Sequence, residues 1–322
     1  MKGGGVEASM VPPAAPTSYY GRPILKPPVW KWLIPAYFFT GGLAAGSSAV
    51  ALAAALTGRG RLARVSRLAS TGAVIGSTAL LVADLGRPGR FANMLRTAKV
   101  TSPMSVGSWI LAAFGPASAL ATASDVLAIA PEVGRAAEVA AAALSPALAT
   151  YTAVLIADTS VPVWQQAASE LPALFASSAL ASAGAIGALF GPACETGPAR
   201  LLTAIGVSGE LASTAVMERK LGQLSENYHG GRAGRLARAA KILDAAGLVG
   251  LGLGRRRPPL GRLGAAAILL GSLAERFAVF EAGMASARDP HQTVEPQRAR
   301  LDARDRAARS GAADAPERTP AH

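Results

Sequence analysis

Apolar residues in this chain gather in long blocks separated by short basic stretches. Eight blocks can be drawn, at roughly 30–56, 67–85, 104–129, 141–163, 168–190, 199–217, 236–253 and 260–283. A helix rising 1.5 Å per residue needs about 20 apolar residues to cross about 30 Å of hydrocarbon. Five blocks exceed that length; the second, sixth and seventh, at about 18–19 residues, are marginal. Each is too long and too continuously apolar to be an alternating barrel strand. A helix also satisfies its own backbone hydrogen bonds in lipid. Proline mostly marks block edges, at Pro28, Pro103, Pro162, Pro198 and Pro259. The pattern predicts an all-α polytopic membrane protein with eight transmembrane helices over residues 29–287. Residues 1–28, rich in Pro, Gly and Ala, read as a flexible tail without the features of a signal peptide. Residues 288–322, dense in Arg, Asp, Ala and Pro, read as a charged, disordered tail.

Composition agrees with the pattern. Hydrophobic residues make up 51% of the 322 and charged residues 16%, against about 25% charged in a soluble domain. Mean hydropathy is +0.31. A single cysteine, Cys194, excludes a disulfide scaffold. The net charge of +12 would suggest nucleic acid in a soluble protein. Here Arg and Lys lie between apolar blocks, where membrane proteins keep them, so the partner surface is lipid and not nucleic acid. Arg and Lys are nearly balanced between the two sets of loops, and the tally leans only slightly towards cytoplasmic termini. Glycine pairs four residues apart, as at Gly42 and Gly46, fit close helix packing or the chance pairing of a glycine-rich chain.

What the chain lacks narrows its chemistry. Its three histidines are His229, in a loop, and His291 and His322, in the C-terminal tail. None is placed to ligate a haem inside a span, and one cysteine cannot hold an iron–sulfur cluster. No metal-binding or phosphate-binding motif is present. Ionisable residues inside spans are then the default functional candidates: Asp84, Asp125, Asp158, Glu210, Asp244, Glu275, Arg276 and Glu281. Asp84, Asp125 and Asp158 lie near block ends, within reach of headgroup water. Asp244 could pair with Lys241. Glu275 and Arg276, as sequence neighbours, each need a partner on another helix. Glu210 is the deepest acid. Tyr151 and Asp158, seven apart, share a helix face, and a tyrosine hydroxyl in a span wants a hydrogen-bond partner. After the second block, Phe91, Met94, Leu95 and Ala98 fall at i, i+3, i+4 and i+7, with Arg90, Asn93, Arg96 and Lys99 on other faces. That spacing predicts a short amphipathic helix in the interface plane, either a plain basic loop or a docking surface.

Several strings resemble the NrfD/PsrC family, the polysulfide-reductase type of integral membrane subunit. They are Asp84-Leu85-Gly86-Arg87-Pro88 through Phe91, Thr101-Ser102-Pro103-Met104-Ser105 and Gly107-Ser108-Trp109. Tyr151-Thr152 through Thr159, Pro162 and Trp164, Gly41-Gly42 through Gly46, and Arg276-Phe277 with Glu281-Ala282-Gly283 also fit. Asp289-Pro290 and Val294-Glu295-Pro296-Gln297-Arg298 resemble actinobacterial members found beside formate-dehydrogenase-like enzymes. The resemblance implies two four-helix bundles in the plasma membrane and a site for menaquinone or ubiquinone near one face, with neither haem nor iron–sulfur cluster in this chain. It implies a four-cluster ferredoxin-like partner that connects to a molybdenum or tungsten catalytic subunit. It places Tyr151 at the quinone, to which Asp84, the nearest acid at the mouth of the docking loop, and Asp158, on the Tyr151 face, are added by position; with the amphipathic segment it puts Arg87, Arg90, Phe91, Asn93 and Arg96 at the partner. Asp158 departs from the small or neutral residue expected there. Glu210, Glu275 and Arg276 remain as buried ionisable groups. The chain would then be a quinone-reactive anchor and not a complete enzyme. A secondary transporter with buried acids, or a ligand-free scaffold, are the alternatives.

Overall fold

A computed structural model describes residues 25–87 and 89–292, together with Arg304. Both tails fall largely outside the described residues, as do Pro88 and the Val294–Arg298 string. Every regular element among the described residues is helical. The long helices are α1 (Leu33–Leu56), α2 (Gly60–Asp84), α4 (Pro103–Leu127), α5 (Pro131–Ala157), α7 (Leu171–Phe190), α8 (Gly197–Leu221), α9 (Gly231–Leu253) and α10 (Pro258–Arg288). Two short helices, α3 (Gly89–Leu95) and α6 (Pro162–Gln166), and a 3-10 turn at Gly222–Tyr228 complete the set.

Six of these, α1, α2, α4, α5, α7 and α10, are both long and apolar enough to cross a membrane. The expectation of eight is met in helix number but not in apolarity. α8 and α9 have 25 and 23 residues, about 35 Å or more of helix. However, α8 carries Arg200, Glu210, Glu218, Arg219 and Lys220, and α9 carries Arg232, Arg235, Arg238, Lys241 and Asp244. Block boundaries also move. α2 starts at Gly60, seven residues before the apolar run, because its first two turns hold Arg61 and Arg64. α5 starts at Pro131 and stops at Ala157, since Asp158-Thr159-Ser160 and Pro162 cannot continue it. The remainder of the fourth block becomes α6.

Short turns make α1 with α2, α4 with α5, α7 with α8, and α9 with α10 the most closely packed neighbours. α7 also packs on α1, α2, α5 and α10, and so sits at the centre. Contacts between connections define two ends. At the proximal end, where α1 begins, lie α3, α6, the 3-10 turn and Gln292, which is hydrogen-bonded to Asn227. At the distal end, Glu195 accepts the backbone N–H of Leu62, and Asp125 pairs with Arg64.

Lipid gives helices little reason to associate through apolar side chains alone, so close backbone approach and interhelical hydrogen bonds carry the packing. Ser70 of α2 donates to the Ala44 carbonyl of α1 and meets Ser118 of α4. Thr71 bonds Ser118 and Thr122 in the same seam. At Gly46 the α1 backbone lies on α7, and a Cβ there would stand 2.3 Å from the Ala179 carbonyl oxygen. Gly206 of α8 touches Ala181 of α7 as closely. Gly46→Ala should therefore cost about 1–3 kcal/mol by overpacking and lower the thermal midpoint of the detergent-solubilised protein. Gly72→Ala, with nothing within 4 Å, should leave the midpoint unchanged or raise it.

Candidate functional site

Tyr151 stands two turns from the proximal end of α5 and is 8% exposed. Its hydroxyl is buried without a hydrogen-bond partner. The ring rests on Gly107 of α4, where a Cβ would lie 2.2 Å from the ring's Cε2, so only glycine lets the tyrosine adopt this position. Tyr37 of α1 meets Tyr151 edge-on, with ring centroids 6.4 Å apart. Glycine and aromatic neighbours fix the ring but leave the phenolic oxygen unsatisfied, a costly arrangement in a buried group. An acceptor brought to that oxygen by a ligand would remove the cost.

The acids named with Tyr151 are placed differently. Asp84 ends α2, half-buried, beside the backbone and charge of Lys31. Asp158 is the exposed cap residue of α5. Seven residues of helix put it about 10 Å along the axis from Tyr151. Both acids and the tyrosine thus occupy the proximal end, the acids at its surface and the hydroxyl beneath it.

The predicted amphipathic segment forms as α3, but it stops at Leu95. Ser105 ends it by donating to the Thr97 carbonyl and accepting the Lys99 backbone N–H. Ala98, expected on the apolar face, is therefore outside the helix and exposed. Phe91, Met94 and Leu95 are half-buried, and Phe91 packs on the main core. Arg87, Arg90, Asn93 and Arg96 are exposed. Arg90 donates to the Leu85 carbonyl at 3.1 Å, which ties the segment to the end of α2. The result is a basic, outward surface seated by its apolar edge.

Beside it, α6 supplies Trp164, which is fully buried. Its indole N–H donates to the Val279 carbonyl of α10 at 2.8 Å, and its ring stacks on Trp30 at 5.9 Å. A Cβ on Gly283 would stand 2.0 Å from the indole. This side chain joins the start of the chain to α10 across the proximal end.

A comparison with protein families matches residues 24–194 to NrfD, described as polysulphide reductase. The chain belongs to the NrfD family. Membership makes it a multi-pass integral membrane protein and a membrane subunit of a redox complex, of a family typically linked to quinone and to iron–sulfur and catalytic subunits. No curated protein matches the chain. The NrfD match takes in α1 to α7 and hence Tyr37, Asp84, α3, Gly107, Tyr151 and Trp164. It ends before Glu210, Asp244, Glu275 and Arg276.

Those four residues come together elsewhere in this NrfD chain, in the interior among α7, α8, α9 and α10. All are at most 3% exposed. Arg276 donates to the Phe175 carbonyl of α7 at 2.7 Å and lies over the Phe175 ring at 3.7 Å. The expected pairing of Asp244 with Lys241 does not form, because Lys241 reaches Glu218 at 2.8 Å. Asp125 does not simply reach water; it pairs with Arg64 and Arg67 at the distal end, and Arg67 also holds Glu138. Glu138 lies outside the apolar run, which begins at residue 141, and so is not among the ionisable candidates of the spans. Its spacing of three from Arg135 is the local sign that the helix extends this far. Two cavities, of about 360 and 630 Å³, open at the distal end beside Arg67 and Arg200, and Tyr151 lines neither. Tyr37 and Gly107 carry no sequence signal of their role, since the contact between α1, α4 and α5 exists only in the fold. Among the described residues no group of His, Cys, Asp and Glu is arranged to hold a metal ion.

Proposed function

We propose that this NrfD subunit binds a quinone, menaquinone or ubiquinone, beneath its proximal face and exchanges electrons with an iron–sulfur partner docked on α3. The observation that carries the reading is the unpartnered, buried Tyr151 hydroxyl within the stretch that matches the family. The quinone supplies two-electron, two-proton chemistry. Tyr151 would donate a hydrogen bond to a carbonyl oxygen of the headgroup, while Gly107 and Tyr37 hold the ring in place. Asp84 and Asp158, at the surface above, take up or release protons where water reaches them. Arg87, Arg90, Asn93 and Arg96 present a basic face to an acidic patch on the partner, with Phe91 holding that face against the core. A four-cluster ferredoxin-like partner fits this requirement, since no group of His, Cys, Asp and Glu among the described residues is arranged to hold a metal, and it would lead on to a molybdenum or tungsten subunit.

The same reading takes α8 and α9 across the plasma membrane as well, for eight spans in two groups of four. Supporting it, α8 and α9 are as long as the apolar helices, and their charges at the deepest positions point inward at Glu210 and Asp244. α1, α2, α4 and α5 pack among themselves, as do α7 with α8 and α9 with α10, which supports two groups joined through α7.

Three results are expected. Tyr151→Phe removes the hydroxyl and keeps the ring. A hydrogen bond to a neutral group is worth about 0.5–1.5 kcal/mol, so quinone-linked turnover should fall about two- to tenfold with assembly intact. Unchanged turnover would leave the subunit a scaffold. Replacing Arg87 and Arg90 together by Glu should free the iron–sulfur partner from membranes while this chain stays inserted; a partner retained at full yield rules out the docking role. Reporters fused at Tyr20 and Arg300 should occupy one compartment, and opposite compartments would mean an odd number of spans.

A further inference from the structure

We propose that Glu275 of α10, with Glu210 and Asp244, which meet α10 at Ser272 and Gly271 one turn before Arg276, form a proton-binding site inside the second group of helices, reached from the proximal end past Glu218, Lys241 and Tyr228. The site lies beyond the residues matched to the family and is separate from Tyr151.

Several observations converge on it. Arg276 is 1% exposed, and its Nε and Nη1 have no hydrogen-bond partner. Its remaining nitrogen is held by the Phe175 carbonyl, and Gly42 of α1 leaves room for it, a Cβ there lying 3.4 Å from Nη2. One oxygen on each acid is also unpartnered: Glu210 Oε1, Asp244 Oδ1 and Glu275 Oε1. The other oxygen of Glu210 meets Ser272 at 3.4 Å, and Ser178 of α7 faces the same carboxyl. Asp244 lies on Gly271, where a Cβ would stand 2.3 Å from Oδ1. A structural ion pair would close these valences; here five buried polar atoms on four residues are open together. Buried polar atoms of this kind are satisfied by ordered water, and a proton on a carboxylate oxygen turns an open acceptor into a donor.

The charge count points the same way. With every group ionised, three carboxylates against one guanidinium leave two net negative charges, which a low-dielectric interior penalises heavily. Proton binding to carboxylate oxygens is the neutralisation available, because among the described residues the other cation acting on the cluster, Lys241 on Glu275, is itself ion-paired with Glu218. α7 contributes Ser178 and a carbonyl, and α1 contributes Gly42. Lys241 of α9 is already held by Glu218 of α8. That pair is partly exposed, with side chains 41% and 18% accessible. Tyr228 of the 3-10 turn is buried near both Glu218 and Glu275. All three lie towards the proximal end from the cluster, on α8, α9 and the 3-10 turn.

The test uses the full chain in lipid nanodiscs, with infrared difference spectra recorded on stepping pH in H₂O and in D₂O. A protonated-carboxyl band that shifts on deuterium exchange is expected in the wild type. Glu210→Gln, Asp244→Asn and Glu275→Gln should each remove part of it, and the triple variant should remove it. Glu218→Gln should slow its response to a pH jump several-fold. Wild-type and triple-variant spectra that coincide at every pH overturn the proposal. So does the absence of any exchangeable band in the wild type, a result that needs no variant to fold. None of these readouts depends on quinone turnover, so the site stands or falls apart from the role of Tyr151.

Discussion

Apolar side chains that face lipid gain little by turning inward, so a bundle of this kind must be held by what lipid cannot offer: close backbone contact and interhelical hydrogen bonds. The contact of α1 with α7 at Gly46 and Ala179 is where this matters most. α7 touches helices of both groups, and its small residues, among them Ser178, Ala179, Ala181 and Gly184, let α1 and α8 lie against it. With that approach fixed, Phe175 is placed under Arg276 and Phe38 against Phe175. The buried charge thus depends on a crossing made of glycine and alanine.

Much of the fold was legible in the sequence because the hydrocarbon imposes one length scale on every span. The eight long helices follow from the apolar blocks, and most ends fall within a few residues of a proline or glycine. The departures have a common cause. Gly60–Ser66 and Pro131–Ala140 are helical but carry charge, and across helices Arg64 of the first is neutralised by Asp125 of α4 and Glu138 of the second by Arg67 of α2. A reading by apolarity has to discard such turns, since the partner that makes the charge tolerable lies 61 to 71 residues away. Tyr151 was readable as a lone hydroxyl in an apolar helix. Tyr37 and Gly107 were not, because only tertiary packing brings three helices to one ring. Asp244 was visible as an acid within a span, yet its nearest cation in sequence, Lys241, is taken by Glu218.

The polar interior is divided. In the first group of helices, hydroxyls of Ser70, Thr71, Ser118 and Thr122 satisfy one another and a backbone carbonyl. In the second, carboxyls and a guanidinium retain open valences, as the Tyr151 hydroxyl does in the first. The hydroxyl seam holds α1, α2 and α4 together without charge, so it serves packing alone. The second cannot be understood as packing, because apolar residues of similar volume would fill the same space at lower cost.

Trp164 and Gly283 carry a consequence for how this sequence can change over time. The indole occupies the volume that any side chain at 283 would need, so a larger residue there is excluded while the tryptophan remains. Losing the tryptophan first empties a space bordered by Trp30, Phe280 and the Val279 carbonyl, and leaves that carbonyl without its donor. Neither single change is neutral, and the route between the present pair and any repacked pair passes through a weaker protein. The two positions, 119 apart in the chain, should therefore be inherited as one unit, with drift at either confined to lineages that have altered both.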